Sequence, residues 1–194
     1  MQKRIIVASR NAHKVDEIRS ILSDHEVCDL SVLPDAPEVE ETGTTFRENA
    51  TLKALAISAL TGDLVLSDDS GLEVDALGGE PGVYSSRYGG EEGNDARNNA
   101  KLLREMKDQK GRSARFRCIM VLARDGRVLS YFSGSVEGEI LESARGEGGF
   151  GYDPLFVPDG YRESFAELGE EVKNSLSHRA RALNQVERWC VREK

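Results

Sequence analysis

Two adjacent carboxylates, Asp68 and Asp69, follow the apolar run Leu64-Val65-Leu66-Ser67 and precede Ser70-Gly71. Like charges gathered this closely are costly unless a cation offsets them. A hard cation such as Mg2+ takes carboxylate oxygens and leaves positions for water and phosphate. The spacing places the pair at the C-terminal end of a strand, where open α/β sheets bind ligands. A solvated Asp-Asp turn fits the motif alone equally well. Glu38, Glu40 and Glu41 precede Thr42-Gly43. In isolation they read as a solvated charge run. A loop folded over the strand ends would let one of these glutamates complete a metal site.

Ser9-Arg10-Asn11-Ala12-His13-Lys14 follows a short apolar run and leads into a helical pattern. A strand entering a helix N-terminus presents free N–H groups to an anion. Ser9 and Asn11 add polar side chains and Lys14 a cation. Taken alone, the turn fits an ordinary capped loop better, and it lacks the glycines of a Walker loop. Gly146-Glu147-Gly148-Gly149-Phe150-Gly151-Tyr152-Asp153-Pro154 matches GxGxxG, but a strand-like stretch with a proline follows where the dinucleotide fingerprint opens a helix. The segment suits a loop presenting Phe150 and Tyr152, one ring of which could stack on a base, or two core aromatics beside a turn. Lys173, His178 and Arg179 cluster late in the chain. Ser177 is placed to cap the last helix, putting His178 and Arg179 in its first turn. Cations are disfavoured there unless a ligand or a nearby acid offsets them, surface charge being the plain alternative.

The elements that must position these groups alternate. Lys3–Ser9 reads as a buried strand, and Val15, Ile18, Ile21 and Leu22 give a helix from about Ala12. Glu26–Leu33 is a second strand. Thr45 and Glu48 form a capping box that opens a helix with Leu52, Leu55, Ala56, Ala59 and Leu60 on its apolar face, ended by Gly62. Lys53 on that helix reads as surface. Asp63–Ser67 is the next strand. Asn94 caps a helix through Ala96, Ala100, Leu103 and Met106. Ala114–Ala123 and Arg127–Ile140 are strands joined at Asp125-Gly126, a tight hairpin signal. Tyr152–Pro158 is a short strand, and Leu183, Val186 and Cys190 mark a closing amphipathic helix. This pattern predicts an α/β fold with a mixed sheet.

Composition bounds the function. The 194 residues, 39% of them hydrophobic, suit one domain or a domain with a small lobe. The formal charge of -8 argues against broad nucleic-acid binding, though a pocket for phosphate needs only local cations. No apolar run is long enough to span a bilayer, and the N-terminal stretch is too short for a signal peptide. Cys28, Cys118 and Cys190 form neither a disulfide framework nor a CxxC zinc site, which fits a reducing cytosol. Cys118, within a strand, reads as core.

Six motifs occur in order: Ser-x-Asn-x-x-Lys, Glu-Thr-Gly-x-Thr-Phe-x-Glu-Asn-Ala, Asp-Asp-Ser-Gly-Leu, Leu-Gly-Gly-x-Pro-Gly-Val-Tyr-Ser-Ser-Arg-Tyr, Gly-Gly-Phe-Gly-Tyr-Asp-Pro-Leu-Phe and Lys-x-x-x-Ser-His-Arg. From Ile5 to Leu183 the chain resembles the inosine/xanthosine triphosphate pyrophosphatases, enzymes acting on purine nucleotides outside the standard set. The resemblance implies an elongated two-lobed α/β fold with the active site in the cleft between lobes, a homodimer and a Mg2+ requirement, and the cysteine usage places the protein in the cytoplasm. The resemblance also implies hydrolysis of ITP, dITP and XTP to the monophosphate and pyrophosphate; composition and charge add the expectation that neither membrane nor nucleic acid is a partner. Carried over by position, Ser9, Arg10, Asn11, Ala12, His13 and Lys14 bind the triphosphate. Asp69 binds metal and accepts a proton from the attacking water. Glu40 is the second metal carboxylate, with Glu41 the alternative. Ser70 touches substrate; Phe150, Gly151, Tyr152 and Asp153 hold base and sugar; Lys173, His178 and Arg179 read the base oxygens. His13 stands where many members carry glycine.

Overall fold

The computed structural model describes residues 2–192. Its six-stranded mixed sheet has the order β2-β1-β3-β4-β5-β6, with β1 at Arg4–Val7, β2 at Glu26–Cys28, β3 at Leu64–Val74, β4 at Ser113–Arg124, β5 at Arg127–Ile140 and β6 at Phe156–Pro158. β1 pairs in parallel with β2 and with β3, so each connection must return over the sheet. Helix α1 (Ala12–Ile21) makes the first return and α2 (Phe46–Ser58) lies on the second. Helices α3 (Asp95–Glu105), α4 (Phe165–Leu176) and α5 (His178–Arg192) follow. β4 and β5 are sheet neighbours joined by Asp125 and Gly126, both at positive φ, as a type I′ turn requires.

The chain divides into two compact units. The first holds Met1–Asp69, Cys118–Gly134 and Arg179–Lys194; the second holds Ser70–Arg117 and Ser135–His178. Each has its own core. Ile5, Val7, Ile18, Leu64, Leu66, Met120 and Leu183 centre the first. Leu72, Leu102, Phe116, Leu155, Phe156 and Phe165 centre the second.

Several expectations change. β3 does not stop at Ser67 but runs on to Val74, eleven residues in all, so Asp68 and Asp69 lie inside it. Strand partners override the poor β-propensity of Asp, Ser and Gly. The pair still falls just past the last β1–β3 register pair, Val7 with Leu66, where the parallel part of the sheet ends. Glu26–Leu33 is strand only to Cys28, since Asp29 accepts from the Ser31 N–H and turns Leu30–Val32 into a 3-10 segment. Helix α2 buries Phe46, Asn49, Ala50, Ala54 and Ile57 while Leu52 and Leu60 are exposed. Its contact face is built of small residues, with Ala50 and Ala54 clustered with Val121 and Ala123. Helix α3 buries Asn98, Leu102 and Met106, one i, i+4 row, and leaves Ala96 and Ala100 outside. Tyr152 precedes a 3-10 segment, Asp153–Leu155, so β6 begins only at Phe156.

Candidate active site

In the first unit, Asn11 caps α1 by accepting from the Lys14 N–H, and Ser9 Oγ accepts from the Asn11 N–H. These local bonds fold Ser9–Lys14 into a turn at the positive end of a helix. Arg10 reaches back to the Ala36 carbonyl at 3.0 Å, tying the turn to the following loop.

Lys14 projects one turn into α1, and its Nζ lies 2.5 Å from Asp68 Oδ1. Asp68 is fully buried and also meets Arg179, whose Nε donates to Oδ2 at 3.1 Å, and the Cys118 thiol, at 3.0 Å. Burial opposes charge on Asp68, but Arg179 and Lys14 outweigh it and hold the carboxyl well below the usual range. Arg179 itself is 1% exposed, and its Nη1 bonds Glu17. This is the acid that offsets a cation in the first turn of α5. Burial next to Asp68 pushes the Cys118 thiol far up, making it an inert proton donor rather than a nucleophile.

Asp69, the next residue, has the opposite electrostatics. Burial pushes its carboxyl up to about 6, against the pull of Lys53 and Lys14 and reinforced by Glu41 and Asp68. Its Oδ1 lies 3.3 Å from Lys53 Nζ, while Oδ2 is buried with no hydrogen-bond partner among the described residues. A buried carboxylate oxygen without a partner is expensive unless water or a cation completes it. Lys53, read as surface from sequence, is instead the centre of the cluster. It donates to Glu41 Oε1 at 2.6 Å and to the Asp68 carbonyl at 2.8 Å. Burial works against its charge, yet Asp69 and Glu41 keep it raised. Glu40, the expected second metal carboxylate, is exposed; Glu41 is the one tied to Asp69 through Lys53. Asn49, one turn before Lys53, accepts from the Gly43 N–H at 2.8 Å and pins the acidic loop to α2. A Cβ on Gly43 would fall 2.6 Å from Asn49 Oδ1, so the loop closes this tightly only with glycine there.

Among the described residues, no three His, Cys, Asp or Glu side chains gather as a metal cage. Mg2+ rarely needs one, being held by one or two carboxylates plus phosphates and water. The orphaned Asp69 oxygen with Glu41 nearby fits that pattern.

The second unit brings different chemistry together. Lys173, on the last turn of α4, is 3% exposed and donates to Asp153 Oδ2 at 2.6 Å. The same oxygen accepts from the Phe150 N–H at 2.9 Å, and the Lys173 ammonium lies 4.4 Å from the Phe150 ring centre. Gly149, at φ +72, has Asp153 Oδ2 where its Cβ would stand. Phe150 stays half-buried, whereas Tyr152 is core and donates its hydroxyl to the Ser85 carbonyl at 2.8 Å. Of the two rings expected to meet a base, Phe150 is the accessible one. His178 stacks on Phe116 with centroids 4.9 Å apart and planes 11° from parallel. Ser70 opens this unit on β3 and is half-buried. Arg179 belongs instead to the first unit, bonded to Asp68 and Glu17.

Sequence reasoning missed α4 altogether. Its signal was present, since Ser164 and Glu167 form a complete capping box. Asn49 lies within the second ordered motif but was given no role of its own. Lys53 and Glu17 carried no local signal, because their partners, Glu41 and Asp69 for Lys53 and Arg179 for Glu17, come from other segments.

Residues 5–189 match the Ham1 family. A Geobacillus kaustophilus protein named dITP/XTP pyrophosphatase is 50% identical over 192 residues, covering 96% of this chain and 94% of that one. One of the same name from Geobacter sulfurreducens is 51% identical over 184 residues, covering 93% and 92%. The Staphylococcus aureus Ham1 structure superposes with a TM-score of 0.89 at 41% identity, covering 99% of this chain and 100% of that one. A Coxiella burnetii HAM1 protein gives 0.88 at 39%, with the same coverage.

Proposed function

This chain belongs to the Ham1 family, and on that premise we propose that it is a Mg2+-dependent pyrophosphatase of purine nucleoside triphosphates such as dITP, ITP and XTP. Water adds across the phosphoanhydride between the α and β phosphates, and the products are the monophosphate and pyrophosphate. The protein works as a cytoplasmic homodimer on free nucleotides, and the net charge of -8 supports free nucleotides over nucleic acid.

The observation that carries this reading is the split between neighbouring carboxylates. Asp68 is committed to Lys14 and Arg179, while Asp69 keeps a buried oxygen without a partner among the described residues and a carboxyl near 6. Asp69 is therefore suited to take the proton of the attacking water near neutral pH. Asp69 and a glutamate of the 40–41 loop would hold the metal, and the tie through Lys53 supports Glu41 over Glu40. A bound Mg2+ supplies charge compensation for the phosphates. The turn Ser9-Arg10-Asn11-Ala12-His13-Lys14 receives the triphosphate through N–H groups and Lys14. Phe150 stacks on the base, the backbone from Gly151 to Asp153 and Ser70 bound the sugar, and Lys173 and His178 present donors to the base carbonyls. Adenine, with an amino group where hypoxanthine has a carbonyl, leaves such donors unpaired. Arg179, engaged by two carboxylates, serves this reading by holding Asp68 in place.

The test is pyrophosphate release from the purified protein with Mg2+, using ITP, XTP, ATP and GTP, and repeated with chelator. Fast release from ITP and XTP, lost on chelation, is expected. Tight ITP binding with no release would make the protein a nucleotide-binding module instead.

A further inference from the structure

Helix α3 takes no part in the site so far described, yet its first two turns grip one residue of the base loop from both sides. The Gly151 N–H donates to Asp95 Oδ2 at 2.6 Å. The Gly151 carbonyl accepts from Asn99 Nδ2 at 2.9 Å. Asp95 and Asn99 are four residues apart, hence on one face of the helix. Gly151 sits at φ +64, a conformation that the two bonds hold in place between Phe150 and Tyr152. The helix is itself anchored. Asn98 Oδ1 accepts from the Gly89 N–H at 2.6 Å, and its Nδ2 donates to the Ser86 carbonyl at 3.1 Å. Tyr152 bonds Ser85 of the same segment. Helix, segment and loop thus form one hydrogen-bonded frame within the second unit. Asn99 Oδ1 is buried with no partner among the described residues. A side chain kept for packing alone would not leave that oxygen unsatisfied, so the amide is explained by what its Nδ2 holds.

We propose that Asp95 and Asn99 are positioning residues for nucleobase binding, fixing through Gly151 the place of the Phe150 ring. This rests on the function proposed above and deepens it, locating part of the control of base affinity on α3.

The test compares Asn99→Ala, Asp95→Ala and Asp95→Asn with the parent. The readouts are calorimetric Kd and KM for ITP, the inhibition constant of inorganic tripolyphosphate, and the melting temperature. Losing one such bond is expected to weaken ITP by about tenfold in Kd and KM, with kcat within about twofold. Tripolyphosphate, which has no base, should inhibit all variants as it inhibits the parent. Asp95→Asn retains an oxygen able to accept from Gly151 and should stay near the parent, whereas Asp95→Ala should not. Unchanged ITP affinity in folded variants would overturn the proposal. So would a parallel loss of tripolyphosphate affinity and melting temperature, which is the mark of a general structural role. A parent that binds ITP without hydrolysing it would sink the enzymatic reading alone, because the Kd comparison still decides this one. A parent that binds no ITP would remove both.

Discussion

The two units pair their cations with acids in different ways. In the first, Lys14, Lys53 and Arg179 are interleaved with Glu17, Glu41, Asp68 and Asp69. In the second, the buried pair of Lys173 with Asp153 lies beside the Phe150 ring, and His178 lies flat on Phe116. Dense, alternating charge can exchange partners with an incoming anion or metal at little cost in solvation. One neutralised pair among flat rings suits an uncharged, planar ligand with a few polar edges. The difference supports the proposal that phosphate chemistry belongs to the first unit and base recognition to the second.

Substitutions at neighbouring positions break this comparison most sharply. Asp69→Asn should cut kcat by at least about 100-fold, as removal of a general base does, while the protein stays folded. Near-parent turnover would end the role given to Asp69. Asp68→Asn should act on stability instead. It strips an acid from buried Arg179 and half-buried Lys14, at a cost of about 3 kcal/mol, read by denaturant unfolding. A variant as stable as the parent would show that Lys14 and Arg179 do not depend on it.

A pH series refines the contrast. The folded Asp69 carboxyl titrates near 6, above its value in an unfolded chain. Folding therefore opposes its ionisation, and this carboxyl's contribution to stability is lost as pH rises from about 4 through about 6. Asp69→Asn escapes that loss. Measured with chelator, its stability advantage should grow across this window to at most about 3 kcal/mol. A constant difference would contradict the assignment. The smallest effect belongs to the second unit, where Lys173→Met should lower the preference for ITP over ATP by about tenfold in kcat/KM. An unchanged ratio would remove Lys173 from base reading.

Much of the layout was legible because its signals are local. The Thr45–Glu48 box, the Asn11 and Asn94 caps and the Asp125-Gly126 turn each lie within four residues. Helix α4 was hidden because Gly169, at φ +78, and Glu170-Glu171 interrupt its apolar rhythm despite a complete cap at Ser164. The length of β3 was hidden because neighbouring strands, not propensity, carry it through Asp68-Asp69-Ser70-Gly71. At the site, the carboxylates were visible as residue types, but the division between them was not. Lys14 comes from 54 positions earlier and Arg179 from 111 later, partners that no local pattern names.

Cys118 offers a further use of that division. Its thiol is fully buried and donates to Asp68, so the native protein withholds it from alkylating reagents. Half-buried Cys28 supplies an internal reference that reacts sooner. The slow labelling of Cys118 then becomes a clock for spontaneous opening of the charged network, and its slowing by added nucleotide reports how firmly the closed arrangement is locked.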